Sequence, residues 1–342
     1  MDDHIRIIDQ TLLPSELKII EIRTAAQAVD AIQRLAIRGA PALGAFGSLA
    51  LVVALDEYHS KSLNEAIRHL EACRISIGDA RPTAVNLRWA VDRVIDRAIA
   101  RSSDLENLRD NLLREAHLVA AEDAQACAEI GRLGRELLRD AVVIGTHCNA
   151  GRLATAGTGT ALAPMYAKFE AGEKLRVLAS ETRPLLQGAR LTAWELNDAG
   201  IDVTVVPDAA MASTVLSGEV DAYIVGADRI AANGDAANKV GTVAHALAAQ
   251  AAGIPFYVAA PTSTIDVQLE LGSEIEIEQR DASEVHEIRG ERLTPLGVSA
   301  ANPAFDVTPN HLITAIITEA GVLKPPFIDS IAKAMGRVGG SA

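Results

Sequence analysis

The sequence predicts an α/β protein, with a mostly helical N-terminal domain followed by a doubly wound parallel sheet. Three observations carry that prediction. Apolar residues recur at helical spacing through the first third of the chain. After Asp140 the rhythm changes to short apolar runs alternating with helical segments. The length, 342 residues, exceeds one small core and suits one large domain or two modest ones. A strand that is apolar on both faces needs cover on both sides, and a parallel sheet with crossover helices supplies it.

Helical segments are expected over 25–35, 41–55, 63–73 and 85–99. The second lies in an uncharged stretch, 39–55, closed by Arg38 and Asp56. With Pro41, Gly44, Gly47 and Ser48 inside it, this stretch reads as a buried helix and not a membrane span. A long pattern rich in Arg, Glu and Leu over 105–138 forms the hinge, placing the boundary near residue 120. Residues 1–120 are thus expected to be mainly helical and 121–342 to form a Rossmann-like α/β domain carrying the catalytic residues. In that domain strands are expected at 141–145, 176–179, 203–206, 222–225 and 256–259, with helices at 184–199, 209–216 and 240–251. The segment 263–304 reads as a loose loop region.

Composition excludes several functions. The chain is 49% apolar, 23% charged and carries a formal charge of −13 without a basic stripe, which disfavours a nucleic-acid partner. Aromatic residues, at 3%, are too few for a base-stacking platform. Cys73, Cys127 and Cys148 are odd in number and lack CxxC spacing, which points to a reducing compartment and away from a zinc knot. The acidic start Met1-Asp2-Asp3-His4 has no export signal, so a soluble cytoplasmic protein without a membrane partner is expected.

Chemistry is expected at the carboxyl ends of the strands, where open parallel sheets bind ligands. Those ends read Thr146-His147-Cys148-Asn149, Ser180-Glu181-Thr182-Arg183, Pro207-Asp208, Gly226-Ala227-Asp228-Arg229 and Pro261-Thr262-Ser263. Cys148 follows a strand and precedes a Gly/Thr-rich loop, where backbone amides and a helix N-terminus favour its anion. His147, adjacent in a strand, faces the other way and reads as structural. The loop 149–160 offers small residues and hydroxyls suited to holding a phosphate on exposed amides. It is not a dinucleotide fingerprint, because Gly157 and Gly159 are followed by Leu162 in the third glycine position. There is no Walker A sequence, so no nucleotide cofactor is indicated. Asp228 ends an apolar strand, an environment suited to general acid/base work or to capping the next turn. Asn238-Lys239 is expected to begin a helix where the lysine could meet a phosphate. Arg38 and Arg81 each sit at a break before a helix, either as cleft donors or as solvated surface arginines.

Seven ordered segments then resemble one family. They begin at Arg38-Gly-Ala-Pro-Ala, Arg81-Pro-Thr-Ala-Val-Asn-Leu, Thr146-His-Cys-Asn-Ala-Gly and Glu181-Thr-Arg-Pro-Leu-Leu-Gln-Gly. They continue with Gly226-Ala-Asp-Arg-Ile, Asn233-Gly-Asp-Ala-Ala-Asn-Lys and Val258-Ala-Ala-Pro-Thr-Ser-Thr. The set is similar to the methylthioribose-1-phosphate isomerases, within the wider family that includes regulatory subunits of the translation-initiation guanine-nucleotide exchange factor. The likeness runs from about residue 9 to 321. It implies an aldose–ketose isomerase of methionine salvage, converting 5-methylthioribose 1-phosphate to 5-methylthioribulose 1-phosphate. It further implies Cys148 and Asp228 as the catalytic pair, with Arg38, Gly39, Ala40, Arg81, Gln187, Asn238 and Lys239 holding substrate. A homodimer needing neither metal nor nucleotide cofactor is implied as well.

One stretch departs from that pattern. Here the chain reads Val206-Pro-Asp-Ala-Ala-Met-Ala, where these isomerases more often show Thr-Asp-Asn-Met-Ala, and Phe46 and Ser48 stand where a Tyr is common. A related substrate, 5-deoxyribose 1-phosphate or ribose 1,5-bisphosphate, therefore stays open, as does a non-catalytic sugar-phosphate sensor. Retention of both Cys148 and Asp228 favours the enzyme.

Overall fold

The computed structural model describes residues 4–81 and 85–339, so the first three residues of the acidic start and residues 82–84 of the Arg81 segment lie outside the described residues. The chain forms two compact units, one made of residues through Ala128 plus Gly151–Gly159, the other of Glu129–Ala150 and Thr160 onward.

The first unit opens with an antiparallel pair, β1 (Ile5–Ile8) and β2 (Ile19–Ile22), short enough to escape a periodicity reading. Helices α1 (Ala25–Gln33), α2 (Ala40–Tyr58), α3 (Leu63–Gly78), α4 (Val85–Ala100) and α5 (Leu105–Leu137) follow, with the residues of α5 from Glu129 onward belonging to the second unit. The hydroxyls of Thr24 and Ser62 cap α1 and α3 by accepting from Gln27 and Glu65 amides. Helix α2 is apolar all round and mostly buried, packed against α1, α3 and α4, as a core helix must be. Its small residues let α4 close in: a Cβ at Gly47 would lie 2.4 Å from Leu87 Cδ1, and one at Gly44 3.2 Å from the Asn86 carbonyl. The starts of α2 and α4 therefore share one end of this unit.

The second unit carries, in order, β3 (Val143–Thr146), α6 (Ala163–Glu170), β4 (Arg176–Ser180), α7 (Ala193–Asp198), β5 (Asp202–Val206), α8 (Asp208–Leu216) and β6 (Ala222–Val225). Next come β7 (Arg229–Ala231), β8 (Ala236–Lys239), α9 (Thr242–Ala252), β9 (Phe256–Ala259) and β10 (Ile265–Asp266). The chain finishes with α10 (Ser283–His286), β11 (Glu287–Ile288), β12 (Glu291–Arg292), β13 (Phe305–Thr308), β14 (Ala315–Thr318), β15 (Gly321–Leu323) and α11 (Phe327–Gly339).

The main sheet has the order β15-β14-β9-β6-β3-β4-β5, parallel throughout except for β15 at the edge. Every residue of β6 and β9 is buried, the signature of strands covered on both faces. Starting from β3, the chain winds outward through β4 and β5, then returns to β6 on the other side of β3 and winds outward through β9 and β14. The direction reverses between β3 and β6. In a doubly wound sheet that switch point is where the ligand crevice opens.

A second sheet, β10-β7-β8-β13, lies outside the sequence expectation. It corrects one reading: Asn238 and Lys239 end strand β8 and do not begin a helix. β13, far along the chain, pairs with them (Phe305 opposite Lys239), and Gly241 at φ +104° turns the chain before α9 starts at Thr242. The helix expected from 184 likewise starts later, because Thr182 and Leu186 take left-handed backbone and residues 183–186 form a turn.

Candidate functional site

β3 and β6 pair directly (Gly145 opposite Tyr223), and the Thr146 hydroxyl donates to the Ile224 carbonyl at 2.8 Å. Cys148 leaves β3 and Asp228 leaves β6, so the two stem from neighbouring strand ends at the switch point. Their loops touch: a Cβ at Gly226 would lie 2.8 Å from Ala150 Cβ, which is why glycine stands there. Gln187 follows β4, the next strand over, and its side-chain Oε1 is buried without a hydrogen-bond partner among the described residues. A buried acceptor left unpaired costs free energy that a ligand hydroxyl would recover. The Asp228 amide donates to the Ala237 carbonyl at 2.8 Å, which sets Asp228 beside β8 with Asn238 and Lys239. The Lys239 ammonium reaches the Ala304 carbonyl at 2.6 Å and lies 4.7 Å from the centre of the Phe305 ring, and the Asn238 amide donates to the Thr242 hydroxyl at 3.0 Å.

The second unit thus brings together Cys148, Gln187, Asp228, Asn238 and Lys239. The remaining expected residues belong to the first unit. Arg38 and Gly39 precede α2, Ala40 is its first residue, and Arg81 precedes α4, all at the shared helix-start end. Gly39 has φ +96°, and a Cβ on it would sit 2.4 Å from the Ala154 carbonyl oxygen. No other residue fits there, and α2 opens directly after Arg38 and Gly39.

In the Gly/Thr-rich loop three amides are already committed: Gly157 and Gly159 donate to the Thr155 hydroxyl at 3.2 and 3.1 Å, and Ala156 donates to Asp123 at 2.6 Å.

Behind Cys148 lies a buried polar layer. His147 Nε2 donates to the Val240 carbonyl at 2.9 Å, so Nδ1 accepts from the Ser180 hydroxyl at 2.6 Å and faces His245 Nε2 at 3.2 Å. Asp208 accepts the Thr182 and Arg183 amides at 2.8 and 2.6 Å. His147, Asp208 and His245 offer atoms within 4.8 Å of one another. His147 and Asp208 are committed to backbone and hydroxyl groups and brace β3, β4 and the segment after β8, whereas His245 bonds His147 and its buried Nδ1 has no partner among the described residues. Sequence reading found Asp208 and His147 as strand-end residues but missed His245, buried on α9, and Glu195, a buried carboxylate on α7 that accepts from Tyr166 and Asn149. A charged residue inside an apolar helix pattern is the one signal that could have flagged Glu195.

Burial pushes His147 down to about 4 and His245 down to about 3, the latter aided by its histidine neighbour. Burial pushes Asp306 up to about 6, against the lowering effect of the Gly241 and Val243 amides it accepts. The signs are opposite. The histidines contribute stability above their ordinary value of 6.5 that is lost as pH falls toward their folded values, because the unfolded chain takes up protons first. Asp306 contributes at low pH and loses that contribution as pH rises through 6. Between pH 7 and 5 each histidine should cost about 2 kcal/mol while Asp306 returns about 1. Urea midpoints should therefore fall over that range, and His245→Phe should reduce the slope. An unchanged slope would contradict the assignment.

A doubly wound α/β unit with acid/base and polar groups gathered at its switch point defines a ligand-binding, enzyme-type domain. The chain matches the Initiation factor 2 subunit family over residues 36–325 and belongs to it. It is 49% identical over 336 residues to a methylthioribose-1-phosphate isomerase of Desulforudis audaxviator, covering 98% of this chain and 96% of that protein. It is 49% identical over 335 residues to a 5-deoxyribose 1-phosphate isomerase of Moorella thermoacetica, covering 98% and 95%. The crystal structure of 5-methylthioribose 1-phosphate isomerase from Pyrococcus horikoshii superimposes with a TM-score of 0.92 at 40% identity, covering 98% of this chain and 94% of that one.

Proposed function

We infer that this protein is a sugar-phosphate aldose–ketose isomerase, converting 5-methylthioribose 1-phosphate to 5-methylthioribulose 1-phosphate in methionine salvage. The observation that carries the reading is the emergence of Cys148 and Asp228 from the paired strands β3 and β6 at the switch point.

The substrate is a glycosyl phosphate and has no free aldehyde, so its ring must open before hydrogen moves from C2 to C1. Asp228 exchanges a proton with the ring oxygen as the C1–O bond breaks. Cys148 serves at the C2–C1 edge during the transfer. Gln187 and Asn238 bind hydroxyls. By the family resemblance, Arg38, Gly39, Ala40 and Arg81 of the first unit and Lys239 of the second are substrate-holding residues. Charge develops on oxygen in both steps, and buried cationic and dipolar groups are worth more there than in water. The protein works as a cytoplasmic homodimer on a small molecule, without nucleic acid, membrane, metal or cofactor.

A second substrate, 5-deoxyribose 1-phosphate, is favoured by the name of the Moorella thermoacetica relative. The two sugars differ at C5, methylthio against hydrogen on the terminal carbon, and both want an apolar pocket. Purified protein should convert the methylthio sugar without added metal, at a kcat/KM at least about tenfold above that for the deoxy sugar, about 1.4 kcal/mol of pocket contact. The reverse ratio would assign the second substrate. Turnover of ribose 1,5-bisphosphate alone would keep the reaction class and change the substrate, and turnover of none of the three would favour a sensor.

A further inference from the structure

We propose that Thr182 and Thr192 are positioning residues, two hydroxyls that clamp the backbone of Cys148 and so set the direction in which its sulfur faces the crevice. The proposal rests on the role given to Cys148 above. Cys148 has φ +64°, in the left-handed region, where a residue with a side chain is strained by about 1–2 kcal/mol. Such a conformation persists only where the surroundings over-determine it.

Here both peptide groups of Cys148 are held by side chains of one other segment. Its N–H donates to Thr182 Oγ1 at 2.9 Å, and its carbonyl accepts from Thr192 Oγ1 at 2.6 Å. The direction of each bond is settled by its neighbours. The Thr182 hydroxyl spends its proton on the Ser180 carbonyl at 2.9 Å, leaving a lone pair for the Cys148 amide. The Thr192 hydroxyl spends its proton on the Cys148 carbonyl and accepts from Asn149 at 3.2 Å.

Both threonines are fully buried and anchored in turn. Thr182, itself at φ +67°, gives its amide to Asp208, and Asn149 is tied to Glu195. Between them Gly188 lets the chain fold back so tightly that a Cβ there would lie 1.8 Å from the Ser180 carbonyl oxygen. That fold places two hydroxyls ten residues apart on opposite ends of the same peptide unit pair. Merely satisfying two buried backbone groups would not require the strained residue to be the one that carries the thiol.

The test uses Thr182→Val and Thr192→Val, which keep shape and remove the hydroxyl, with Thr→Ser as the conservative control. Two readouts are needed. The first is kcat and KM for the isomerase reaction. The second is the pH profile of Cys148 alkylation by iodoacetamide, in which the sulfur displaces iodide, followed on the Cys148 peptide. We expect each valine variant to lose about 10- to 100-fold in kcat with KM within about twofold, and to shift the alkylation profile, with serine restoring both. Folded valine variants with wild-type kcat and alkylation would overturn the clamp. Should the valine variants not fold, Thr→Ala against Thr→Ser makes the same comparison. If wild type proves inactive on every sugar phosphate while alkylation still responds to the hydroxyls, the isomerase reading fails and the clamp stands.

Discussion

Cys148→Ser is expected to lower turnover by on the order of 10³-fold or more while leaving substrate affinity within about threefold. The substitution replaces sulfur by a smaller, far less acidic hydroxyl and preserves shape, so the left-handed backbone and its two hydroxyl contacts persist. Binding by calorimetry beside turnover separates the two effects. A serine variant that turns over at wild-type rate would remove Cys148 from the mechanism. Cys73 and Cys127 provide internal controls, because burial pushes their thiols up to about 11 and about 12 and neither lies at a strand end of the main sheet. Their replacement should leave the rate unchanged.

Asp228→Asn is expected to lower kcat by about 10²- to 10⁴-fold, the range for loss of a positioned proton donor or acceptor. The amide keeps the size and much of the hydrogen bonding of the carboxyl but cannot deliver a proton to the ring oxygen. KM should move little, and the pH–rate profile should lose one limb. A profile that keeps both limbs would assign the titrating group elsewhere. On the proposed reading, in which Cys148 and Asp228 serve one substrate, the double variant should be scarcely slower than the worse single one.

Much of this site was legible because strand ends announce themselves. The runs ending at Val225 and Ala259 are continuously apolar, too short for helices, and are followed at once by polar residues. Their burial on both faces requires a covered parallel sheet, and such a sheet directs its ligands to the strands' carboxyl ends. Cys148 and Asp228 fall out of that reasoning with no knowledge of strand order. The burial of α2 was legible for a similar reason: a helix apolar on every side must be enclosed.

Asn238 and Lys239 were not legible. Ala-Ala-Asn-Lys has no β-branched or aromatic residue, and its strand state comes from pairing with β13, far off in sequence. Nor were the partners of the Gly157 and Gly159 amides in the loop 149–160 legible. Whether its amides face a ligand or Thr155 depends on a turn geometry that Gly and Thr composition permits without dictating. The clamp on Cys148 was hidden more deeply. Nothing in the letters distinguishes Thr182 and Thr192 from ordinary buried threonines until the chain folds back at Gly188.

The sequence by itself determined the class of fold and the strand-end residues, because hydrophobic periodicity and run length are local properties. Tertiary structure decided which strands are neighbours, that the reversal falls between β3 and β6, and which hydroxyls and carboxylates hold Cys148 in its strained conformation. Those are pairings between residues tens of positions apart, and their energies exist only once the chain has closed on itself.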